Sequence, residues 1–563
     1  MTSLNSLSGL NTATTHTVGN QAAREFGWNA YTDDTLLVRM TEKFAPWAAE
    51  QAAELGQFAG DEYMQNQARL ANRHGPELKT HDRYGNRIDW VEFHPAWHEV
   101  MSLSVRFGVH SLAWIAKETG KSNGHFARAV MSYIWNQIEV GSACPLGMTY
   151  AAYPALSAPH FRGWQEKVIS PDYDPRPLPI DQKTGAIIGW GMTEKQAGSD
   201  LRQLQTTARF VEDSANGPVY AIRGHKWFFS APQVDAFFTL ARTESGVSLF
   251  FCPGFLPDGS RNHIRLQRLK DKAGNRSNAS SEVEFHDTLG WLVGEEGHGV
   301  REILSNTHLT RLDLAIGSAG MMRQALTLAL NHTQSREAFG SPISQLPMMN
   351  NILADLAIEV EAATLLALRA ARAVDEMETG TDQQKLAARP MTPLAKYWIC
   401  KRAPAVVTEA LECQGGNGFI EENPMARLYR EVPLNQIWEG TSNMMCMDIL
   451  RGQRQSPEMA DALMADMEDV RGYDAKLDRW VQEMGDELVR PYNDDGHGRR
   501  LAGLMANAVQ AAELARYGSK GSFEAFCHSR LNGDWGYVFG TLAPSPELSG
   551  IVDQATVIRR PAG

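Results

Sequence analysis

The 563-residue sequence predicts an α+β chain, mostly α, in which one β-rich stretch interrupts helical blocks. Three observations predict it. Apolar residues recur at three- and four-residue spacing before about residue 170, and helical spacing returns from about 296 to 450. Between about 186 and 290 the period drops towards 2. Pro171, Pro175, Pro177 and Pro179 crowd the first junction, a density no helix survives. At roughly 150 residues per domain, the length calls for about three to four domains.

Residues 1–23 are rich in Ser, Thr and Asn, a composition that buries little and suits an arm laid against a neighbour or a loose lead-in. Residues 24–185 are expected as an N-terminal helical domain. Pro95 fits the first turn of a helix whose Trp97, Val100, Met101 and Val105 share a face, and Ala127, Val130, Met131 and Trp135 repeat the pattern. Residues 186–290 are expected as a central β-domain: Val219, Ala221 and Arg223 lead into Trp227-Phe228-Phe229, and Val283 and Phe285 alternate with Glu282 and Glu284. Gly274-Asn275-Arg276-Ser277-Asn278 is its polar loop. Residues 291–450 are assigned a four-helix bundle, because Leu353, Leu356, Ala357, Val360, Ala363 and Ala371 line one helix face. The tract Glu378–Asp382 is expected as a solvent loop between two long helices. Residues 451–563, entered after Gly452 and the Pro457 turn, are expected as an extra C-terminal helical domain. No internal repeat marks the chain.

Lys plus Arg number 54 against 66 Asp plus Glu, and the formal charge of −12 argues against a globally basic nucleic-acid binder. Six cysteines lie scattered with no C-x-x-C pair, so reduced thiols are expected. The opening stretch lacks the basic and apolar regions of a secretory signal, and no run reaches the ~18 apolar residues of a membrane span. A soluble, cytoplasmic protein without a membrane partner is the expectation. His94 and His98 stand four apart on a helix, the spacing of two metal ligands, but no further ligand clusters near them and no metal is expected. Neither a G-x-G-x-x-G after a strand nor a G-x-x-x-x-G-K-S/T occurs, which leaves Rossmann and P-loop sites unsupported.

Three separated stretches carry chemistry. The first runs from Trp190 to Asp200 as WGMTEKQAGSD and the second from His225 to Ser230 as HKWFFS. The third joins Gly415-Gly416-Asn417-Gly418-Phe419 to Tyr429-Arg430-Glu431 and to Ile437-Trp438-Glu439-Gly440-Thr441-Ser442-Asn443. A flavin needs a flat apolar face for its ring, hydrogen bonds to the ring edge and donors for its pyrophosphate. Met192, Thr193, Ser199 and Ser230 offer backbone and hydroxyl partners, Trp227 a stacking surface, and Arg336 a fork suited to phosphate. Each residue alone also has a blander use. A Trp at a strand end packs the core, an Arg near a Phe caps a surface, and a Glu ahead of Thr441 and Asn443 caps a helix start.

In order and spacing these stretches resemble the acyl-CoA dehydrogenase superfamily of flavoproteins over roughly residues 90–450. The resemblance implies the acyl-CoA dehydrogenase fold of helices, β-domain and four-helix bundle. It implies FAD as cofactor, with Phe228, Phe229, Gly415, Gly416, Trp438, Thr441 and Asn443 among the residues holding it. Arg336, Phe339 and Gln345 match the family segment that reaches the FAD of a neighbouring subunit, which implies a homotetramer. Glu439 becomes the catalytic base, removing the proton α to a thioester while hydride leaves the β-carbon for flavin N5. Such a base is expected in apolar surroundings that lift its pKa. Arg311 matches an arginine at the substrate. The acidic residue that many members carry three positions before it is His308 here, so tight CoA recognition is not expected.

The chain runs about 110 residues past the Glu439 segment, further than ordinary members. Phe93-His94-Pro95-Ala96-Trp97-His98, Gly224-His225-Lys226-Trp227 and Lys270-Asp271-Lys272 with Gly274-Asn275-Arg276-Ser277-Asn278-Ala279-Ser280 resemble the AidB-like, adaptive alkylation-response subgroup. That likeness implies at best slow dehydrogenation of short or branched acyl-CoA, and double-stranded DNA binding through 451–563. This block carries 13 Lys and Arg against 17 Asp and Glu, whereas affinity for a duplex grows with the cations that neutralise phosphates. Two functions therefore stand. One is an FAD-dependent oxidoreductase with Glu439 as base, acting on acyl-CoA or another small substrate with an acidic C–H. The other is a DNA-associated flavoprotein protecting against alkylation damage, its dehydrogenase chemistry vestigial. A third use of the extra block is to buttress the tetramer.

Overall fold

The computed structural model describes residues 15, 16, 18–22, 26–491 and 494–558, so most of the expected arm over 1–23 lies outside the described residues. α1 (Thr35–Phe44), α2 (Ala49–Ala59) and α3 (Glu62–Arg73) open the helical part, and the carboxylates of Asp34 and Asp61 accept unpaired amides at the starts of α1 and α3. A hairpin of β1 (Glu77–His81) and β2 (Arg87–Glu92) follows, an element that the helical spacing of this region does not disclose. It is clamped to the β-domain: Arg87 donates to Leu266 O, and Arg261 donates to the carbonyls of Ile88 and Asp89.

α4 (Pro95–Arg106) begins at His94, whose ring accepts from Ala96 N while Pro95 supplies the first turn. His94 stacks on His74 and His98 faces Tyr173, so each imidazole has a structural use. No cluster of His, Cys, Asp and Glu able to hold a metal occurs among the described residues. α5 (Leu112–Glu118), α6 (Gly124–Trp135), α7 (Ala143–Ala152) and α8 (Arg162–Val168) follow. Every residue of α6 is buried, which a helix tolerates only at the centre of a packed unit.

β3 (Ile188–Gly191), β4 (Thr207–Ser214), β5 (Gly217–Phe229), β6 (Ala236–Thr243), β7 (Gly246–Pro253), β8 (Ile264–Leu269) and β9 (Ser281–Val293) form one sheet. Its order is β3-β6-β4-β5-β9-β7 with β8 on β9, and β7 pairs back onto β6, so the sheet closes on itself while β3 and β8 branch from the ring. Inside it, Lys226 and Glu194 form an ion pair at 2.8 Å with both side chains fully buried. Glu194 also accepts the amides of Gln205 and Thr206, and Lys226 donates to Leu240 O, so neither charge lacks partners. Burial works to raise the Glu194 carboxyl, but the Lys226 ammonium outweighs it and holds that carboxyl at about 2. Burial in turn draws Lys226 down to about 8.

α9 (Gly299–Ser335) leads through the short hairpin β10 (Glu337–Ala338) and β11 (Ser341–Pro342) to α10 (Pro347–Thr379). α11 (Asp382–Ala388), α12 (Met391–Glu412), α13 (Pro424–Glu431) and α14 (Ser442–Gln455) follow, and α9, α10, α12 and α14 pack as the bundle. The Glu378–Asp382 tract is not the expected loop. α10 runs to Thr379, Gly380 makes the break, and Thr381 and Gln384 cap α11 reciprocally, a start that the Thr-x-x-Gln spacing encodes.

α15 (Met459–Asp466), α16 (Ala475–Val489), α17 (Gly498–Tyr517), α18 (Lys520–Phe526) and α19 (Glu547–Ala555) form a further helical layer. α17 packs on α10, α12 and α14, and α19 packs on α10. Arg530 reaches into the bundle to within 2.5 Å of Asp355 and 3.1 Å of Glu359. No helix among the described residues is long and apolar enough to cross a membrane.

Candidate active site

After α13 the chain turns at Leu434–Gln436 and reaches Glu439 and Gly440 just before α14. Both lie at positive φ, +57° and +105°, a conformation that costs a non-glycine residue about 1–3 kcal/mol. Three side chains from two bundle helices hold it. Arg311 Nε on α9 donates to Glu439 O at 3.0 Å, Lys396 Nζ on α12 donates to Gly440 O, and Thr310 Oγ1 donates to Glu439 Oε2 at 2.8 Å. Arg311 is fixed in turn by Asp448 on α14 at 2.8 Å, and Asp448 takes Arg389 on its other oxygen at 2.8 Å. Asn443 accepts from Arg499 Nε on α17 at 2.8 Å, which ties the last helical layer to the exit of the turn. Glu439 is exposed and not enclosed by apolar groups as expected. Nor does it cap α14, whose start at Thr441 has no side-chain cap.

The ends of β3 and β5 supply another wall. Trp227 N donates to Thr193 O at 2.8 Å, and the Glu194–Lys226 pair locks the two segments from within the sheet. Met192, Thr193, Trp227 and Ser230 are partly accessible, and Ser199 is exposed. Cys144, at the start of α7, joins this wall to the bundle: it lies within reach of Ser230 and Asn278 and feels the charges of Lys272 and Glu439. Burial pushes its thiol up to about 12, so it is no nucleophile. Burial also lowers Lys272 to about 8, while its Nζ donates to Asn278 O at 2.6 Å and Ser280 Oγ at 3.0 Å. The side-chain amide of Asn278 is buried with neither its oxygen nor its nitrogen hydrogen-bonded. Helix, strand end and bundle turn therefore meet around Cys144.

Several expected residues lie elsewhere or act differently. Phe229 belongs to the core, its ring 4.8 Å from Phe237 and so close to Gly191 that a Cβ there would meet it at 2.4 Å. Phe228 is exposed, and Lys270 Nζ stands 4.6 Å from its ring and 3.2 Å from that of Trp227, placing a cation on the expected stacking surface. Arg311, expected at the substrate, is spent on Glu439 O and Asp448. Trp438 donates to Asn435 Oδ1 at 3.0 Å, and Thr441 is exposed. Arg336, Phe339 and Gln345 lie beyond the far end of α9, which rises about 37 Å between Arg311 and Arg336. Gly415 and Gly416 follow the far end of α12, which runs alongside α9 where Cys400 meets Leu314 and Ser318. The two groups of expected residues thus stand at opposite ends of the bundle. Thr310, Lys396 and Cys144 join the site without any motif to announce them, and Asn278 lies in the quoted loop Gly274–Ser280 without being singled out there as a site residue; a lysine inside the apolar run Met391–Cys400 is the nearest thing to a signal.

Family descriptions match three successive parts of the chain. They are the adaptive response protein AidB N-terminal domain over residues 20–175, the acyl-CoA dehydrogenase middle domain over 189–288 and the acyl-CoA dehydrogenase C-terminal domain over 297–453. The chain is 43% identical over 523 residues, 92% of its length and 95% of the relative's, to the putative acyl-CoA dehydrogenase AidB of Escherichia coli. The structure of Caenorhabditis elegans ACDH-11 in complex with C11-CoA shares the fold at a TM-score of 0.83 and 24% identity, over 96% of both chains. That of an acyl-CoA dehydrogenase complexed with FAD from Bacillus anthracis shares it at 0.68 and 16% identity, over 92% of this chain and 93% of that one. The residues present fit FAD: Asn278 has a buried amide with donor and acceptor unspent, Thr193, Ser199 and Ser230 offer accessible hydroxyls, and Gly415 and Gly416 leave open space where a Cβ would stand. By its identity to a relative over nearly the whole length, the chain belongs to the acyl-CoA dehydrogenase family, in its AidB branch.

Proposed function

We propose that the chain dehydrogenates a small acyl thioester, with Glu439 as the base. FAD, when bound, supplies the acceptor for the β-hydrogen, which leaves as hydride while the α,β double bond forms. Glu439 takes the α-proton on Oε1, because Thr310 holds Oε2 and keeps the carboxylate from swinging away. A base so placed is worth typically 10²–10⁴ in rate. Thr193 and Ser230 would hold the cofactor from the β-domain, and the Asn278 amide would be a further polar partner. The accessible Glu439 carboxylate leaves room for a substrate beside it. With Arg311 committed to the turn and His308 where an acid is usual, the grip on CoA is loose, and short or branched acyl groups are the favoured class.

The observation that carries this reading is the Glu439 turn, fixed from α9 and α12 beside the residue that touches Ser230. Anaerobic titration of the purified holoenzyme with short and branched acyl-CoAs tests it. Stoichiometric bleaching of the flavin supports the reading; unchanged absorbance with every thioester removes it.

The separation of Arg336, Phe339 and Gln345 from Glu439 supports a homotetramer in which these three residues of one chain serve the FAD of another. Phe339 at the hairpin tip is 96% exposed and Phe419 beside Gly415 and Gly416 is 70% exposed, apolar surface that such a contact would cover. The DNA-associated alternative rests on residues 451–563. There Arg454 pairs with Asp495, Arg500 with Glu483 and Glu487, and Arg516 with Asp466, Asp469 and Glu513, so phosphates must compete with carboxylates already in place. Gel shift with duplex DNA across a salt series decides it: a steep loss of binding with salt supports that reading, and no shift at low salt discards it.

A further inference from the structure

Lys396 sits in α12 with 1% of its surface exposed, among the buried side chains of Leu394, Ala395, Ile399 and Cys400. Burying an ammonium is costly unless it is well bonded. Among the described residues, its hydrogen bond is to Gly440 O and no carboxylate lies in ion-pair contact with it. Burial lowers its proton affinity, and the charge of Glu439, near enough to be felt, works the other way. The helix thus places a buried cation on one backbone carbonyl, that of the residue after Glu439.

That carbonyl belongs to a turn with two successive residues at positive φ. Arg311 grips the preceding carbonyl, Glu439 O, but shares its guanidinium with Asp448. Lys396 grips the next from a helix on another side of the bundle. Without it, the peptide after Gly440 is free to rotate, and the direction of the Glu439 side chain rotates with the turn.

We propose that Lys396 is a positioning residue for proton abstraction: its ammonium, bonded to Gly440 O, holds the strained turn that aims the Glu439 carboxylate. The inference rests on Glu439 being the base. It acts through the backbone, so it predicts a change in the chemical step rather than in ligand binding.

The test compares Lys396→Met, which fills the same space without a donor, with Lys396→Gln, which restores an N–H. In the FAD-bound protein without substrate, hydrogen exchange of the peptide spanning Ile437 to Asn443 is expected to accelerate at least tenfold in Lys396→Met and to return towards the wild-type rate in Lys396→Gln, with α12 peptides unchanged. At saturating acyl-CoA, Lys396→Met is expected to retain substrate affinity and to bleach the flavin at least tenfold more slowly. The isotope effect of an α-deuterated thioester on that rate is expected to rise. Unchanged exchange in the turn overturns the proposal, and so does faster exchange along the whole of α12 in both variants, which would make Lys396 a packing residue. Should no thioester bleach the wild-type flavin, the exchange result still decides whether Lys396 holds the turn, and only the reading of Glu439 as a thioester base falls.

Discussion

Replacing Lys226 by Met removes one half of the charge pair that locks the β-domain wall of the site. Both side chains are fully buried and their atoms lie 2.8 Å apart, so the change strands Glu194 in the sheet with the amides of Gln205 and Thr206 as its backbone partners. Breaking a buried pair by removing one partner costs about 3–5 kcal/mol. The double variant Glu194→Gln/Lys226→Met removes both charges; the glutamine oxygen serves one of the two amides and leaves the other unsatisfied, at about 1–3 kcal/mol. The double variant is therefore expected to be about 2 kcal/mol more stable than Lys226→Met, the reverse of additive damage. Urea unfolding followed by tryptophan fluorescence reads this, since Trp190 and Trp227 lie at the wall, and flavin release reads the effect on the site. The pH dependence has a sign as well. The Glu194 carboxyl, at about 2 in the fold against its ordinary 4.5, stabilises the protein above 4.5 and loses that contribution as pH falls towards 2. Lys226→Met flattens this acid-side loss. An unfolding curve for Lys226→Met that overlays the wild type, or a double variant as damaged as the two single changes summed, refutes the reasoning.

Two further outcomes follow from buried charges. Glu431 is lifted to about 7 by burial and by Glu139, although Asn275 N donates to both its oxygens. A carboxyl raised above its ordinary 4.5 stabilises the fold below that value and loses the effect, about 3 kcal/mol, as pH rises through 7. The urea midpoint is expected to fall between pH 5 and 8 in the wild type and to do so less steeply in Glu431→Gln; equal slopes would contradict this. Arg530→Met leaves Asp355 buried without its cation, while Glu359 keeps Arg402 at 2.7 Å. A loss of about 3–5 kcal/mol is expected. Because Gly540 N donates to the same Asp355, limited proteolysis of the native variant is expected to cut between residues 532 and 546. Resistance equal to wild type would show the segment is held by other contacts.

Periodicity exposed the helix, sheet and bundle order because the transitions are abrupt: prolines end one period, and the alternation along β5 and β9 replaces it. It missed the hairpin at Glu77–Glu92, where β2 buries only Asp89 and Val91, too short a run to show a face. Capping chemistry was available at Thr381 and Gln384, but a run of polar residues resembles a loop when the reciprocal bonds are not considered. The neighbouring residues single out Glu439 as a candidate. They do not show its environment, because Thr310 and Arg311 come from α9 and Lys396 from α12, and no local pattern encodes contacts between helices so distant along the chain. Phe229 was misplaced for a related reason: three aromatic residues in a row look alike in sequence, whereas the strand end leaves Phe228 in solvent and sends Phe229 into the core. Arg336 is expected to reach the FAD of a neighbouring subunit, and the unbroken length of α9 sets it far from Glu439 of its own chain, at the opposite end of the bundle.

The most direct measurement is anaerobic reduction of the FAD-loaded protein by a short acyl-CoA, comparing wild type with Glu439→Gln at matched flavin content. The variant is expected to retain FAD and bind the thioester while reduction slows by about 10²-fold or more, the loss of a positioned base. Reduction of both proteins at the same rate would show that the proton leaves by another route and that Glu439 does not act as the base.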